Sequence, residues 1–488
     1  MVSNGDEKPD EEGEVVTSRQ PRSAGDLQAL FENAHAARNA GDLIAAGKMV
    51  DTILQSAPDA APALHLRARI ALDRAEASAL SYFDAALRYD PGNPDLHLGK
   101  AQALDRAGDR KGARIVAEQI ATQAPGFTAA LSFLSSLYLA DGEQDFTAPF
   151  TKAASKAPQD PNIPAAHCDA LAGIGYHAQA AAVAAQASMR FPEEPHFRLL
   201  EAMHTGSAGE WQRADRLFDT LALETTQEKL AKARHLLRAG RFEAADDLLG
   251  TVLWREPSNV SAWALQDTSW RAGDSAQALR KAQWLHAQSG LIQFRPLAAS
   301  PDLLARVRKL LSTLHKDAGM PLAQSLRGGS QTRGNLLQRT EPELAELRAA
   351  IEETVARYRA ELPDADAEHP LLRHREADWG LAGSWSVRLT GAGDRHATHV
   401  HPAGIISSAL YVTVPPEISE APQDGWLELG RPPHDLGLDL EPLETVRPQE
   451  GHLALFPSTL YHGTRQFSGC EAERVTVAFD VVASATQR

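Results

Sequence analysis

Apolar stretches of helical length recur along the first part of the chain, up to about residue 290, with a spacing of 33 or 34 residues. Many of them end at a proline, and in four units a glycine precedes that proline by the same interval, as Gly41 precedes Pro58. The prolines are Pro58, Pro91, Pro125, Pro158, Pro192 and Pro257, and the glycines are Gly41, Gly108, Gly142, Gly175, Gly209, Gly240 and Gly273. Glycine readily adopts the turn that ends a helix, and proline prevents a helix from continuing, so the pattern predicts repeated helix–turn–helix units.

Most of these glycines are followed five residues later by an alanine. A small side chain at this position lets the second helix pack closely on the first. These alanines are Ala46, Ala113, Ala180, Ala214, Ala245 and Ala278. One unit has Thr147 at this position, another lacks its glycine near residue 75, and a third lacks its proline near residue 225. The spacing resembles the tetratricopeptide (TPR) repeat family over residues 26–290, or about eight units.

Such repeats bury their apolar faces only by stacking, and the stack leaves a concave groove. The resemblance therefore implies an all-α solenoid whose groove binds a protein or peptide partner. The alternative is that the array is a spacer or a surface for self-association.

The hydrophobic pattern changes after residue 290. Two helices are predicted at Leu303–Leu314 and Glu341–Leu362, and short runs rich in Val, Thr and aromatic residues follow, separated by Gly, Pro and Asp. The predicted strands are Ser384–Leu389, Ile405–Val414, Gly425–Leu429, His452–Phe456 and Arg474–Val482. Regularly spaced strands of this kind predict a jelly-roll-like β-core at about residues 380–483, within a second domain of residues 291–488.

The charge, the apolar runs and the cysteine count of the chain argue against several classes of function. The formal net charge of −15 argues against binding to nucleic acid or to an anionic membrane, and no apolar run approaches the ~18 residues needed to span a bilayer. Residues 1–25 are polar and acidic, and we expect a disordered tail there rather than a secretory signal. The two cysteines, Cys168 and Cys470, are too few for a disulfide framework, which favours a reducing cytoplasm. We interpret Cys168 as a packing residue and Cys470 as a turn residue.

The candidate chemistry lies in two histidine groups of the β-core. His399 and His401 differ by two positions, so in an extended segment both side chains lie on one face, as a metal requires. His462 follows an apolar strand and a proline turn. Arg474 comes next among these candidates, and Thr476 shares its face of a strand.

These residues stand in a definite order along the chain, namely His399-x-His401, then His462, then Arg474-x-Thr476. The order and its spacing resemble the signature of Fe(II)/2-oxoglutarate oxygenases, whose core is a double-stranded β-helix. Further segments resemble a bacterial branch of these oxygenases that also carries TPR repeats. These segments are Ser384–Leu389, Gly404–Tyr411, Gly425–Gly430, Leu455–Ser458 and Arg474–Asp480, with the loop at residues 328–332.

The resemblance implies Fe(II) as metal, 2-oxoglutarate and O2 as co-substrates, and hydroxylation of a protein or peptide side chain recruited by the repeat groove. By position, His399 and His462 match the two histidine ligands, and His401 stands where most of the superfamily has Asp or Glu. Arg474 matches the arginine that binds the distal carboxylate of 2-oxoglutarate, Thr476 its neighbouring hydroxyl, and Tyr411 a further hydrogen-bond donor to the co-substrate.

Several alternatives stay open at this point. Three neutral imidazoles also suit the zinc of a hydrolase or of a cupin isomerase, although Arg474 and Thr476 have no evident role there. Asp394 is a candidate for the missing carboxylate, but its odd offset from His399, like that of His396, predicts the opposite face of a strand. The chain is alternatively a non-catalytic TPR interaction protein with a degenerate cupin-like domain.

Overall fold

The computed structural model describes residues 23–316, 318, 325–391, 393–416, 418, 423–466 and 473–483. Most of the predicted acidic tail, residues 1–22, and Cys470 lie outside these ranges. No helix in the described ranges combines the length and apolar character required to cross a membrane.

The N-terminal part is a row of helices packed in consecutive pairs, which we call the repeat array. Its helices are α1 (Ala24–Asn39), α2 (Leu43–Ser56), α3 (Ala61–Asp73), α4 (Ala79–Leu87), α5 (Pro94–Arg106), α6 (Arg110–Gln123), α7 (Thr128–Ala140), α8 (Ala148–Lys156), α9 (Asn162–Ala172), α10 (His177–Arg190), α11 (His196–Ser207), α12 (Trp211–Phe218), α13 (Thr226–Arg238), α14 (Phe242–Arg255), α15 (Val260–Gly273) and α16 (Ala276–His286).

The predicted turn positions explain this pairing. Gly41, Gly108, Gly142, Gly175, Gly209 and Gly240 all have positive φ between +70° and +89°. In the unit without a glycine, Ala75 takes the same left-handed conformation at φ +53°. The role predicted for Gly273 is wrong, because this residue stays inside α15 and Asp274 makes the turn at φ +52°.

Small residues fill the helix contacts as predicted. The alanines at positions 46, 113, 180, 214 and 245 are fully buried, and so is Cys168. The Cys168 thiol donates to the carbonyl of Ala180, and burial raises its pKa to about 12, so this cysteine is a packing residue.

We expect Ala75→Gly to stabilise the protein by about 0.5–1 kcal/mol. A left-handed conformation costs an L-residue roughly 1–2 kcal/mol, and the extra freedom of glycine in the unfolded chain offsets part of that gain. Equilibrium unfolding in urea measures the difference. Ala107→Gly is the control, because Ala107 ends α5 at φ −79° and its replacement should destabilise. Destabilisation by Ala75→Gly would contradict this account of the turn.

The C-terminal part, which we call the β-domain, contains two long helices and eleven strands in the described residues. These elements are β1 (Gln293–Pro296), α17 (Pro301–Leu314), β2 (Leu326–Arg327), β3 (Ser330–Gln331), α18 (Pro342–Ala360), β4 (Trp379–Leu389), β5 (Arg395–His396), β6 (Ile406–Thr413), β7 (Leu427–Leu429), β8 (Glu444–Val446), β9 (His452–Pro457), β10 (His462–Thr464) and β11 (Arg474–Ala483).

The strands form two main antiparallel sheets. One contains six strands in the order β1-β9-β6-β11-β4-β3, and the other contains β10-β7-β8, while β2 and β5 pair separately. An isolated bridge between His399 and His462 joins the segment after β5 to β10. Apolar side chains of β7 and β9 meet in a cluster that includes Leu429 and Phe456. The predicted fold class, a helical repeat solenoid followed by an antiparallel β-domain with flanking helices, is confirmed.

Alternation along β11 separates a structural face from a functional one. Val475, Val477, Phe479 and Val481 belong to the core cluster that α17 and α18 share with the six-stranded sheet. The intervening positions, among them Arg474, Thr476 and Asp480, point to the opposite face, because side chains alternate along a strand. A buried arginine and a buried threonine therefore lie on one side of one central strand.

The repeat array contacts the β-domain near both of its ends. In the early repeats, Asp73 accepts a hydrogen bond through its carbonyl from the amide of Asn335 at 2.9 Å, and Asp105 pairs with Arg333 at 2.8 Å. In the late repeats, the carboxylate of Asp435 binds Arg234 at 2.7 Å and Arg238 at 2.5 Å. Early and late repeats of the array thus both contact the chain's own β-domain.

Three cavities lie between the array and the β-domain in the described residues, and the two larger ones are similar in volume. One, bordered by Asp105, Arg106 and Trp385, has a volume of about 680 Å³. The other, which we call the inner chamber, has a volume of about 690 Å³ and is lined by α11 and α13 on one wall and by the segment 395–398 on the other.

The ion pair at Asp435 should hold the two parts together in a pH-dependent way. Burial alone would raise the pKa of Asp435, but attraction to Arg234 and Arg238 outweighs it and lowers the pKa to about 2. Because the folded pKa lies below the unfolded value, the stabilisation is complete above about pH 4 and disappears as the pH falls toward 2.

We expect Asp435→Asn to destabilise the protein by about 1–3 kcal/mol at neutral pH, since the carboxylate is only about two-thirds buried (34% exposed). Thermal unfolding measures the loss, and it should shrink below pH 4. The exposed Asp247→Asn serves as control, and an equal effect of both substitutions would refute the role of this ion pair.

Candidate metal centre

Three histidines converge at one end of the β-domain. The backbones of His399 and His462 exchange hydrogen bonds of 3.0 and 2.9 Å, which places the two rings side by side with centroids 4.4 Å apart. His401 lies two positions further on, with its ring 4.9 Å from that of His399 and 4.8 Å from that of His462. One ring nitrogen from each residue lies within 4.8 Å of the other two, so the structure brings the three predicted ligands together.

The spacing suits a metal ion. The Nε2 atoms of His399 and His401 are 3.0 Å apart, which is the distance between adjacent ligands of an octahedral ion bound at roughly 2.1 Å. Burial lowers the pKa of His399 to about 4 and, with the neighbouring rings, lowers the pKa of His462 well below its usual value. Both imidazoles are therefore neutral near pH 7, the state in which a ring nitrogen can bind a cation.

Hydrogen bonds at the far side of each ring fix which nitrogen faces inward. His399 Nδ1 lies 2.8 Å from the carbonyl oxygen of Ala397, and His462 Nδ1 lies 3.1 Å from that of Leu460. A carbonyl oxygen only accepts, so each Nδ1 must carry the proton and each Nε2 presents a lone pair to the centre.

Asp480 accepts a hydrogen bond from the outer nitrogen of the third ring, that of His401. The sequence pattern did not predict this role of Asp480. Its Oδ1 lies 2.5 Å from Nδ1 of His401, and both side chains are mostly buried. A carboxylate bound to the outer nitrogen of a ligating histidine orients the ring and makes it a stronger ligand. The signal was available, because Asp480 lies an even number of positions after Arg474 and Thr476 and hence on the same face of β11.

Arg474 is buried beside this centre without a counter-ion. Only 2% of it is exposed, and no carboxylate in the described ranges pairs with it. Its Nη1 donates to Thr464 Oγ1 at 3.5 Å, its Cζ lies 5.1 Å from the centroid of the Tyr411 ring, and its Nε has no partner. The Tyr411 hydroxyl is also buried and unpartnered, and burial raises its pKa. A bound dicarboxylate would satisfy these orphaned groups.

Thr476, the other predicted co-substrate residue, lies opposite Tyr411 in the register of β11 and β6 and is 6% exposed. The structure thus places Arg474, Thr476 and Tyr411 on adjacent strands of one sheet. Thr464, the hydrogen-bond partner of Arg474, was not assigned a role from the sequence.

The remaining candidates lie outside the triad. Asp394 accepts two hydrogen bonds of 2.9 Å from Thr390, so it stabilises a turn. His396 stacks 5.8 Å from His399 and lies 3.1 Å from Ser325 Oγ, which makes it a neighbour of the triad. Of the aromatic residues, Trp385 packs against His401 with ring centroids 5.4 Å apart, and Phe456 packs against His462 at 4.9 Å.

Comparison with known proteins agrees with this arrangement. Residues 383–480 match the family model described as "Putative 2OG-Fe(II) oxygenase", and residues 73–137 match a tetratricopeptide repeat model. The β-domain is thus similar to this oxygenase family. The matched residues include most of β4, the histidine triad, Arg474 and Asp480, and so contain every residue of the centre described above.

Likenesses to solved structures are partial. HygX from Streptomyces hygroscopicus, solved with nickel and 2-oxoglutarate bound, is 14% identical over 43% of this chain and 87% of its own, with a TM-score of 0.29. A tetratricopeptide repeat protein from Parabacteroides merdae is 15% identical over 46% of this chain and 91% of its own, with a TM-score of 0.32.

A mutant O-GlcNAc transferase from Thermobaculum terrenum is 26% identical over 25% of this chain, with a TM-score of 0.23, and the chain spans 23% of that enzyme's length. No curated protein matches the chain in sequence. These likenesses therefore leave the reaction and the substrate to be inferred from the site.

We expect Asp480→Asn to weaken divalent metal binding by about 10–100-fold, because loss of a carboxylate behind a ligating histidine typically has that effect. Titration of the oxygenase with Co(II), followed by its visible absorption, measures the affinity. Asp439→Asn, an exposed aspartate of the same domain, is the matched control. Wild-type affinity in Asp480→Asn would show that His401 does not depend on this carboxylate.

Proposed function

We propose that this protein is a 2-oxoglutarate-dependent Fe(II) dioxygenase that hydroxylates a side chain of a protein or peptide. The observation that carries the proposal is the buried, unpaired guanidinium of Arg474 beside three convergent imidazoles. A buried arginine without a counter-ion is costly, and an anionic co-substrate removes that cost.

Each residue of the centre has a definite task in this function. His399, His401 and His462 would hold Fe(II) through their Nε2 atoms, because the Nδ1 atom of each ring faces a hydrogen-bond acceptor on the outer side. When bound there, Fe(II) with 2-oxoglutarate and O2 would supply the oxidising power to hydroxylate a C–H bond, with one oxygen atom going to the substrate and the other to succinate as carbon dioxide is lost from 2-oxoglutarate.

Arg474 would bind the distal carboxylate of the co-substrate with two parallel N–H donors, a geometry that lysine cannot provide. Tyr411 would add a hydroxyl donor, and Thr464 holds the guanidinium in place from the other side. Thr476 offers a second hydroxyl on the same face of β11 as Arg474.

Asp480 supplies the negative charge that a histidine at position 401 lacks. In most of the superfamily a carboxylate occupies the position of His401, and it balances part of the metal's charge. In this protein the carboxylate of Asp480 is hydrogen-bonded to the outer nitrogen of His401, so it would affect the metal through the imidazole ring. We propose that the pair His401–Asp480 serves as the equivalent of a single carboxylate ligand.

The repeat array would bring the substrate to the centre from one side. Cavities lined by residues of both the array and the β-domain lie between the two parts, and a substrate would bind there. This arrangement supports recruitment of a peptide segment or an exposed loop, because the inner chamber, with a volume of about 690 Å³, is large enough for one. A zinc hydrolase is a weaker interpretation of this site, because its reaction would leave Arg474 without a counter-ion. The expected cytoplasmic location stays a prediction.

We expect Arg474→Gln to lower the affinity for 2-oxoglutarate by about 100-fold or more and to abolish succinate formation, because a buried charge-assisted bidentate contact is lost. Anaerobic binding of 2-oxoglutarate to the Fe(II) protein and succinate formation in air are the two measurements. Metal affinity should be unchanged.

Arg447→Gln, an exposed arginine of the same domain, controls for loss of charge. If the wild-type protein with Fe(II) neither binds 2-oxoglutarate nor forms succinate, the oxygenase function is wrong. The alternative of an interaction protein with a degenerate domain would then stand.

A further inference from the structure

The inner chamber adjoins the metal centre. Its β-domain wall includes His396, Ala397 and Thr398, the three residues that lead directly into His399. It also includes Thr464, which accepts a hydrogen bond from Arg474. The chamber therefore borders the chain neighbours of His399 and the threonine that Arg474 contacts, while the three histidines and Arg474 lie behind this wall.

The chamber is rich in positive charge although the chain as a whole is acidic. The side chains that line it include two acidic residues, Glu428 and Asp435, and five arginines, namely Arg234, Arg238, Arg327, Arg395 and Arg465. The formal net charge of the full chain is −15, so this surplus of guanidinium groups is local. Converging positive charge in a cleft attracts and retains anionic ligands.

One of these arginines is available to a ligand. Arg395 is exposed at the rim, its Nη1 donates to Gln466 Oε1 at 3.3 Å, and no carboxylate in the described residues pairs with it. By contrast, Arg234 and Arg238 share the single carboxylate of Asp435, so their two charges are only half balanced.

The repeat-array wall presents a buried histidine with an unused nitrogen. His204 on α11 is 7% exposed, and its Nε2 has no hydrogen-bond partner. The ring stacks on that of His177, with centroids 5.6 Å apart and planes 19° from parallel, and the Nδ1 of His177 is likewise without a partner. Because buried polar atoms are normally satisfied, these two nitrogens leave hydrogen-bonding capacity unused, among the described residues, directly behind this wall of the chamber.

We propose that the inner chamber binds a carboxylate-rich segment of the peptide substrate, with Arg395 at the rim and His204 and His177 on the repeat-array wall as recognition residues. The segment would lie between α11 and the strand that precedes His399. This proposal names the substrate class of the proposed oxygenase and rests on that function, but binding itself requires no turnover.

The test is direct binding of labelled peptides to the full-length protein, by fluorescence anisotropy at low ionic strength. The probes are a glutamate–serine peptide and lysine–serine and glutamine–serine peptides of equal length. Saturating 2-oxoglutarate is present with Co(II) so that Arg474 is already occupied. We expect the acidic peptide to bind at least about tenfold more tightly than the other two, with an affinity that falls as salt rises.

Two variants locate the binding. Arg395→Gln and His204→Phe should each weaken binding of the acidic peptide by about tenfold, since one loses a charge and the other loses its ring nitrogens while keeping its shape. Arg198→Gln, an exposed arginine of α11 that does not line the chamber, should bind like wild type. Because Arg395 is exposed, its replacement tests the proposal even if His204→Phe fails to fold.

Equal affinity for the three peptides, or wild-type affinity for the acidic peptide in Arg395→Gln, overturns the proposal. Titration of 2-oxoglutarate into the same variants separates this result from the proposed function. If the variants bind 2-oxoglutarate normally but the acidic peptide poorly, both stand. If wild type binds the peptide but no 2-oxoglutarate, the oxygenase function fails and the chamber assignment survives as a binding site.

Discussion

The site depends on one constraint, namely that the outer nitrogen of each of three imidazoles is already committed to an acceptor. The carbonyls of Ala397 and Leu460 and the carboxylate of Asp480 take the three Nδ1 positions. The three Nε2 atoms then face one another, and three nitrogen lone pairs directed at one point would bind a cation between them. The surrounding fold makes this possible, because the bridge between His399 and His462 brings the two histidine segments into register.

Strand β11 carries the residues next to the histidine triad that we propose for co-substrate binding. β11 presents a hydrophobic row to the helices and a polar row to the interior, and the polar row includes the guanidinium, a hydroxyl and the carboxylate behind His401. In the function that we propose, this single strand would contribute both to co-substrate binding and to metal binding. A shift of one position in its register would exchange the two faces and lose both.

Much of this could be predicted from the sequence, since it is encoded in local periodicity. Six of the seven turn glycines, the buried alanines, the four longest strands and the short β7 follow from the sequence pattern. The two-position parity of His399 and His401 and of Arg474 and Thr476 placed each pair on one face. The short strands such as β1, β5 and β10 are too short to show alternation. Ala75 shows a different limit, because a strained left-handed alanine has no compositional signature. Asp480 was missed because its partner lies 79 residues away, on another element.

The packing of the repeat array against the β-domain could not be read from the sequence either. Repeats of this type predict a groove but not what the groove faces. Contacts such as those of Asp73 and Asp435 are set by single residues far apart in the chain. The repeat array forms one wall of the inner chamber, and the other wall includes residues 396–398, which precede His399 in the chain. In the function that we propose, substrate selection would take place in this chamber, close to the metal centre.

The most direct test of this account is a crystal structure of the anaerobic Fe(II) protein with 2-oxoglutarate. The account predicts iron bound by the Nε2 atoms of His399, His401 and His462, with Asp480 still hydrogen-bonded to His401 and the distal carboxylate of 2-oxoglutarate on Arg474. Iron bound without His401, or a co-substrate that leaves Arg474 unpaired, would contradict it.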